Sequence, residues 1–254
     1  MTTLTKEMKQ LKERNEKAFV PYIMAGDGPL EQLEETIVRL QNLGATAIEL
    51  GIPYSDPVAD GVVIREAGER ALAAGVTLDK ILETVATFTR VRIPLLTMAY
   101  VNTIFAYGIE RFAKRAQQVG IRGAIIPDLP YEERALVAEP FQQHDIALIP
   151  LVALTSPKER IEKLVQEAEG FIYAVTINGV TGNQNQLNDS PLDHFDTLRA
   201  MTDLPVYAGF GITTAEDVEC MNAHTDGVIV GSAIVRALHE QDREALEQLF
   251  VAYA

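Results

Sequence analysis

The feature that most constrains the fold is a regular alternation of short apolar runs with amphipathic helical patterns along the chain. The apolar runs end in glycine, proline or polar turns, which is typical of strands buried in a parallel sheet. Such runs predict strands over residues 19–24, 47–50, 94–98, 123–126, 146–152, 171–176, 205–208 and 227–230. Eight strand-then-helix units in about 250 residues, without a linker, match a closed (β/α)8 TIM barrel. We therefore predict an α/β protein in which residues 1–254 form a single barrel domain.

The intervening patterns predict helices over residues 29–44, 63–74, 78–90, 110–119, 132–144, 157–167, 191–201, 214–221 and 243–253. Residues 5–17 are rich in charge, and Leu4, Met8 and Leu11 recur at helical spacing. We therefore predict an extra N-terminal helix that lies across one end of the barrel. The alternative fold is a doubly wound open sheet. Against it, the first strand lacks the G-x-G-x-x-G turn of a dinucleotide site.

Charge and composition narrow the classes of partner. The chain has 22 Lys and Arg against 36 Asp and Glu, for a net charge of -14. Such a surface repels nucleic acid and anionic lipid, so we expect neither as a partner. Neither a secretion signal nor an apolar stretch long enough for a membrane span is present, so we expect a cytoplasmic protein. We expect no internal disulfide and no metal site, because Cys220 is the single cysteine and the histidines are scattered: His144, His194, His224 and His239.

The loop after the second strand carries two carboxylates. Glu49 stands near the end of an apolar strand, and Asp60 follows it eleven residues later, beside Gly61. One carboxylate is therefore on a rigid element and the other on a movable loop, which is a layout suited to acid–base chemistry. A carboxylate within an apolar strand requires a partner, a pocket or a chemical purpose. We also predict that burial raises the pKa of Glu49, because desolvation disfavours its charged form.

Other polar residues follow the strands at the same end of the predicted barrel. The active sites of TIM barrels lie at the carboxyl ends of the strands. A single loop aspartate is usually a turn former or a helix cap, and a tyrosine within a strand is usually part of the core. Because several such residues follow different strands, we expect them to line one rim together: Asp27, Glu49, Asp60, Tyr100, Asn102, Asp128 and Tyr173.

Two glycine turns near the end of the chain predict a phosphate site. The seventh strand leads into residues 209–213 (Gly-Phe-Gly-Ile-Thr), and the eighth into Gly231 and Ser232 at the start of a short helix. Backbone N–H groups in such turns and the positive end of a helix dipole favour an anion. This position after strands seven and eight is a recurrent phosphate site of the fold. Residues 179–182 (Gly-Val-Thr-Gly) lie in a long polar loop that we predict to act as a lid.

The chemistry that these residues permit is limited. Carbon–carbon cleavage of a sugar phosphate on a barrel normally uses a Schiff-base lysine or a metal ion. No lysine stands at the end of a predicted strand, and no set of metal ligands is present. Proton transfer by Glu49 and Asp60 remains, on a substrate that supplies its own electron sink. Apolar residues are available to hold a flat aromatic group, namely Phe19, Leu96, Tyr100 and Phe210.

Several segments resemble the tryptophan synthase alpha chain family. Residues 49–61 (Glu-Leu-Gly-Ile-Pro-Tyr-Ser-Asp-Pro-Val-Ala-Asp-Gly) closely resemble the signature of that family, and residues 179–182, 209–212 and 231–235 match its loop-six and phosphate segments in order. The resemblance implies cleavage of indole-3-glycerol phosphate to indole and glyceraldehyde 3-phosphate. It implies Glu49 as the general acid/base, Asp60 as the partner of the indole N–H, and these substrate-binding residues: Tyr22, Tyr100, Tyr173, Thr181, Gly182, Phe210, Gly211, Gly231 and Ser232.

The same resemblance implies a partner. It implies that the chain carries no cofactor and works in an alpha2beta2 assembly with a tryptophan synthase beta chain that holds pyridoxal phosphate. We expect loop two, through Pro53 and Asp56, and residues 179–188 to border that interface, and Thr181 to close the lid over Asp60. Two other functions stay open at this point. One is a phosphosugar isomerase on the same barrel, and the other is a chiefly allosteric subunit without turnover.

Overall fold

A ring of parallel strands forms the centre of the molecule. The computed structural model describes residues 1–153, 155–175, 191–209, 211–251 and 253. Within them the strands are β1 Ala18–Met24, β2 Ile48–Gly51, β3 Leu95–Met98, β4 Ile121–Ile125, β5 Ala147–Leu148, β6 Leu151–Ala153, β7 Ile172–Val175, β8 Val206–Gly209 and β9 Gly227–Val230. They form one sheet in the order β5-β4-β3-β2-β1-β9-β8-β7-β6, and every pair is parallel.

The two ends of this order are consecutive in the chain, so the sheet closes on itself. β5 pairs with β4, β6 pairs with β7, and only residues 149–150 separate β5 from β6. Ile149 N–H donates to the carbonyl of Ala124 at 3.0 Å, and Tyr173 N–H donates to the carbonyl of Pro150 at 3.1 Å. Pro150 has no N–H to donate, which accounts for an interruption of the strand at this point. The predicted eight-unit barrel is confirmed, with its fifth strand in two halves.

The helices that surround the ring follow the predicted order. They are α1 Thr3–Glu13, α2 Leu33–Leu43, α3 Val62–Ala73, α4 Leu78–Val85, α5 Val101–Tyr107, α6 Ile109–Gln118, α7 Ala135–Gln143, α8 Lys158–Gln166, α9 Pro191–Ala200, α10 Ala215–His224, α11 Ser232–His239 and α12 Arg243–Val251. Two short 3₁₀ turns, Leu30–Gln32 and Tyr131–Glu133, precede α2 and α7. No helix in the described residues is long and apolar enough to cross a membrane.

Two helices on either side of β3 differ from the prediction, and contacts from distant segments account for both. α4 ends at Val85 instead of residue 90, because the backbone N–H groups of Thr89 and Arg90 donate to the Glu34 carboxylate at 2.6 and 2.7 Å. The short helix α5 was not predicted. Its first N–H, that of Val101, donates to the carboxylate of Asp128 at 2.8 Å, so a residue of the next loop caps it.

The predicted N-terminal helix closes the amino end of the barrel. Leu4 and Met8 on α1 are 0% and 2% exposed. Met8 Sδ accepts a hydrogen bond from the Tyr207 hydroxyl at 3.3 Å, and Thr5 Oγ1 accepts one from Gly170 N–H at 2.8 Å. Because this end is closed by packed side chains, the carboxyl end is where the barrel interior opens to a ligand.

Candidate active site

Two strand-ending glycines make room for two buried tyrosines. A Cβ on Gly51, at the end of β2, would lie 2.0 Å from the hydroxyl oxygen of Tyr22. A Cβ on Gly209, at the end of β8, would lie 2.2 Å from Cε2 of Tyr173. Any other residue at these positions would displace a tyrosine, since Cβ contacts under about 3.0 Å do not occur in folded proteins. The sequence analysis assigned no role to Gly51 or to this contact of Gly209.

The tyrosines line a cavity of about 210 Å³ at the carboxyl end of the barrel. Its walls come from β1, the start of α3 and the loop before it, β3, β7, the turn after β8, β9 and the start of α11. The lining residues are Tyr22, Asp60, Gly61, Ile64, Met98, Tyr173, Gly211, Ile212, Thr213, Ile229, Gly231 and Ser232. Six residues predicted from the sequence to form the site therefore meet in one cavity: Tyr22, Asp60, Tyr173, Gly211, Gly231 and Ser232.

Glu49 lies within the barrel next to this cavity, in an apolar setting. It stands between Tyr22 on β1 and Leu96 on β3 in the strand register, and it is 0% exposed. Neither carboxylate oxygen has a hydrogen-bond partner among the described residues. Burial, together with the nearby charge of Asp60, raises the pKa of Glu49 to about 8. The predicted rise is confirmed, and the carboxyl is mainly protonated at neutral pH.

Asp60 is half-buried and is held by a tyrosine from the next loop. The hydroxyl of Tyr100 accepts a hydrogen bond from Ala59 N–H at 2.9 Å. The same hydroxyl donates a hydrogen bond to the Asp60 carboxylate. Burial raises the pKa of Asp60, and the bond from Tyr100 opposes that rise. The ring of Tyr54 stacks on Tyr100 with 4.9 Å between centroids, and Asn102 Nδ2 donates to the Tyr54 hydroxyl at 3.1 Å. Residues of one loop thus fix the position of the carboxylate on another.

The glycine turns form the opposite wall of the cavity. Gly211 has a φ of +78°, a conformation that favours glycine. Gly231 precedes α11, and among the described residues no side chain caps the N–H groups at the start of that helix. Thr213 is not free to bind an anion in the same way, because its N–H and hydroxyl both donate to Asp217 at 2.8 and 3.0 Å. An anion here would be bound by the uncapped first turn of α11 and the hydroxyl of Ser232.

Two aspartates expected on the rim have other roles. The carboxylate of Asp27 accepts two hydrogen bonds from Arg70, at 2.6 and 2.8 Å. Asp128 caps α5 through Val101, as described above. Neither residue lines the cavity. The expectation that all the polar residues after the strands converge on one site is therefore wrong for these two, whose loops serve to fix neighbouring helices.

Phe19, Leu96, Tyr100 and Asn102 do not line the cavity either. Tyr100 and Asn102 instead support loop two, through the contacts with Asp60 and Tyr54 described above. Phe19 points to the outer face of β1, since it is an odd number of residues from Tyr22, and its ring lies 4.3 Å from Phe250 of α12. Leu96 points into the barrel, but it packs in a deeper layer near Gly123. The aromatic group of a ligand would instead contact the apolar residues Ile64, Met98, Ile212 and Ile229, which the sequence analysis did not single out.

Some predicted site residues lie outside the described part of the chain. These are Phe210 in the turn after β8 and Thr181 and Gly182 in the loop after β7, together with the rest of the predicted lid. Their assignment stays a prediction.

Comparison with known proteins gives a consistent result over nearly the whole chain. Residues 8–253 match the family model described as tryptophan synthase alpha chain. The tryptophan synthase alpha chain of Listeria innocua is 49% identical over 244 residues, which cover 96% of this chain and 93% of that protein. The tryptophan synthase alpha chain of Bacillus cereus is 47% identical over 241 residues, covering 94% and 93%.

Solved structures are similar in fold over the same length. The tryptophan synthase alpha chain of Legionella pneumophila superposes with a TM-score of 0.86 at 32% identity, covering all of this chain and 97% of the other. A chain of tryptophan synthase from M. tuberculosis, in an aminoacrylate-bound form, gives a TM-score of 0.87 at 29% identity, covering 100% and 99%.

Proposed function

Because this chain belongs to the tryptophan synthase alpha chain family, we propose that it cleaves indole-3-glycerol phosphate with Glu49 and Asp60 as its two catalytic carboxylates. The family's reaction is a carbon–carbon lyase reaction that yields indole and glyceraldehyde 3-phosphate. The observation that carries the residue assignment is the buried Glu49 carboxyl, which has no hydrogen-bond partner in the described residues and a pKa near 8. Strongly shifted carboxyl groups of this kind are enriched at catalytic sites.

The protonation state of Glu49 suits the first step of cleavage. The protonated carboxyl donates its proton to C3 of the indole ring, and positive charge develops at the ring nitrogen. The Glu49 carboxylate then removes the proton from the glyceryl hydroxyl, the carbon–carbon bond breaks, and its electron pair returns to the ring. One group therefore acts first as acid and then as base, and the proton balance closes within the cycle.

Asp60 stabilises the charge that develops between these two steps. It lines the cavity beside Tyr22 and Tyr173, and its carboxylate would accept the indole N–H. Because the ring carries more positive charge in the transition state than in the substrate, this interaction strengthens as the reaction proceeds. The contact with Tyr100 holds the carboxylate ready for that role.

The rest of the cavity positions the substrate. We place the phosphate at Gly211, Gly231 and Ser232, and the indole ring between Tyr22 and Tyr173, against the apolar residues of the cavity wall. The family resemblance adds Phe210 and Tyr100 beside the ring, and Tyr100 would act there through its contact with Asp60. Thr181 and Gly182 would cover the site from the lid. Glu49 is fully buried and is not among the residues that line the cavity, so we propose that its side chain turns toward C3 of the bound substrate.

The family implies a beta-chain partner, and the rim of the cavity offers a surface for it. Val58, Val62 and Phe105 are 84%, 58% and 46% exposed, and loop two also exposes Asp56. Pro53 is buried, so it would support the loop instead of contacting the partner. We propose an alpha2beta2 assembly in which the beta chain carries pyridoxal phosphate and receives indole from this rim, within the cytoplasm and without nucleic acid or membrane as a partner.

The family match supports the lyase over the two alternatives, a phosphosugar isomerase and a non-catalytic subunit. The direct test is to add indole-3-glycerol phosphate to the purified chain and to measure free indole, with and without a tryptophan synthase beta chain. We expect indole in both cases and faster release with the partner. Absence of indole in both cases, with the folded state verified by circular dichroism, would contradict the proposal.

A further inference from the structure

A second cavity, of about 740 Å³, lies on the outer side of β1. It is bounded by β1, the loop that follows it, and helices α2, α3, α11 and α12, and it shares no lining residue with the active-site cavity. The strand separates the two, since Tyr22 faces the barrel interior and Ile23 faces this cavity. Its volume is in the range of small-molecule sites, about 300–1,000 Å³.

The cavity is positively charged within a strongly acidic protein. Arg39 of α2, Arg70 of α3 and Arg243 of α12 line it, and Asp27 is the carboxylate among its lining residues. Arg70 is paired with Asp27 in a bidentate contact. Within the described residues, neither Arg39 nor Arg243 has a carboxylate within 4.0 Å, although acidic residues outnumber basic ones in the chain by 36 to 22. Two positive charges are therefore left uncompensated in a concave site.

The remaining walls are apolar or neutral. Ile23, Leu33, Val235 and Leu238 contribute aliphatic surface, and Gln32, Thr36 and Gln241 contribute neutral polar groups. His239 also lines the cavity, and its Nδ1 lies 3.9 Å from the Asp27 carboxylate. A ligand that matches this lining carries negative charge at one end and an apolar group at the other.

We propose that this cavity binds a small phosphate monoester, with the phosphate between Arg39 and Arg243 and the apolar part of the ester on the aliphatic wall. The arginine side chain binds phosphate oxygens through a planar fork of N–H donors, which gives both charge and geometry. A dianion matches two uncompensated positive charges, whereas a monocarboxylate neutralises only one of them. Arg70 stays paired with Asp27 at the edge of the site, so we assign it no contact with the phosphate.

The test uses phenyl phosphate as a probe and benzoate as its monoanionic counterpart. Titration of the ¹⁵N-labelled chain, followed by amide chemical shifts, identifies the binding surface independently of the active site. We expect phenyl phosphate to shift the amides of residues 26–39 and 235–243, and benzoate to bind there at least about fivefold more weakly. Shifts confined to residues 211–213 and 231–233 would assign phosphate binding to the active site alone and overturn the proposal.

Matched variants complete the test. Arg39→Gln and Arg243→Gln should each weaken the binding of phenyl phosphate at the outer cavity about tenfold, since each removes charged hydrogen bonds. Arg236→Gln is the control, because Arg236 is exposed on α11, carries the same charge and does not line the cavity. If all three substitutions weakened binding equally, phenyl phosphate would be attracted only by the overall positive charge, and the proposal of a specific site in this cavity would be refuted. Indole release from indole-3-glycerol phosphate should be unchanged in Arg39→Gln. The indole assay therefore tests the proposed function, and the phosphate titration tests this proposal independently of it.

Discussion

The two ends of the barrel are built from the same strands, but they differ in how their polar groups are satisfied. At the amino end, Thr5 Oγ1 accepts the N–H of Gly170, and the carboxylate of Asp145 accepts the N–H and hydroxyl of Thr3. At the carboxyl end, both oxygens of Glu49 lack a hydrogen-bond partner in the described residues. The amino end has the properties of a structural core, and the carboxyl end retains a carboxyl group whose charged form is unfavourable for the fold.

This difference shows that burial alone does not distinguish a structural residue from a catalytic one. Leu4 and Glu49 are both 0% exposed. Burying an apolar side chain stabilises the fold, whereas burying a carboxyl without partners costs free energy unless the group is neutral. Glu49, which is unfavourable for stability when charged, is therefore the residue to test for function. We expect substitutions at the carboxyl end to lower turnover and substitutions at the amino end to lower the free energy of unfolding.

The largest expected effect is on turnover at the carboxyl end. Glu49→Gln keeps the shape of the side chain but can neither donate nor remove a proton. Because this group acts in two steps, we expect the rate of indole release to fall at least about 10³-fold, or roughly 4 kcal/mol in activation free energy. A steady-state assay with added beta chain measures it. A variant that keeps a tenth of wild-type activity would exclude Glu49 from the mechanism.

The same variant should alter the dependence of stability on pH. The pKa of Glu49 is about 8 in the folded chain and near 4.5 ordinarily, so between these values the folded chain holds a proton that the unfolded chain has released. The folded state therefore loses stability as pH rises through this window and regains it as pH falls. We expect wild type to lose on the order of 2–4 kcal/mol between pH 5 and pH 9 relative to Glu49→Gln. Urea denaturation at both pH values checks this, and parallel curves for the two proteins would contradict it.

At the amino end, Leu4→Ala should destabilise the fold without changing the chemistry. The side chain is fully buried where α1 closes the barrel, so its removal leaves a cavity that costs about 2–5 kcal/mol. Leu72→Ala is a suitable control, since Leu72 on α3 is 37% exposed and should cost much less. Denaturation measures the stability, and the indole assay below the unfolding temperature should give a kcat close to that of wild type. A large loss of kcat in the folded variant would mean that the two ends are coupled.

The smallest of these effects is a loss of turnover expected for Tyr100, which follows β3 and supports Asp60 in the loop after β2. Tyr100→Phe keeps the stack on Tyr54 but removes the hydroxyl that accepts Ala59 N–H and bonds to Asp60. Because the hydroxyl holds Asp60 in its charged form, we expect kcat/KM to fall about tenfold, mainly through kcat. Tyr54→Phe is the matched control, since within the described part of the chain it loses the bond from Asn102 and no contact with Asp60. Equal losses in both variants would indicate a general disturbance of the loops instead of a specific contact with Asp60.

The sequence by itself determined the eight-unit barrel, the extra N-terminal helix, Glu49 and Asp60 as the candidate carboxylates, and the two glycine turns near the end of the chain. These follow from local patterns, because hydrophobic periodicity and turn residues report on which side of each element is buried. The order of parallel strands in the fold then brings successive loops to one end. That is why residues such as Asp60, Tyr173 and Ser232 could be assigned to one site before their distances were known, whereas Tyr22 was assigned through the resemblance to the family.

Only the tertiary structure decided how those residues are held. It interrupts the fifth strand at Pro150, directs Phe19 to α12, pairs Asp27 with Arg70, and uses Asp128 to cap α5. It also leaves the Glu49 carboxyl without a hydrogen-bond partner among the described residues. Each of these outcomes depends on groups far apart in the sequence, and hydrogen-bond satisfaction is a property of all the neighbours of an atom in three dimensions. Local patterns identify which residues are buried or polar, but only the packed fold determines which polar groups find a partner.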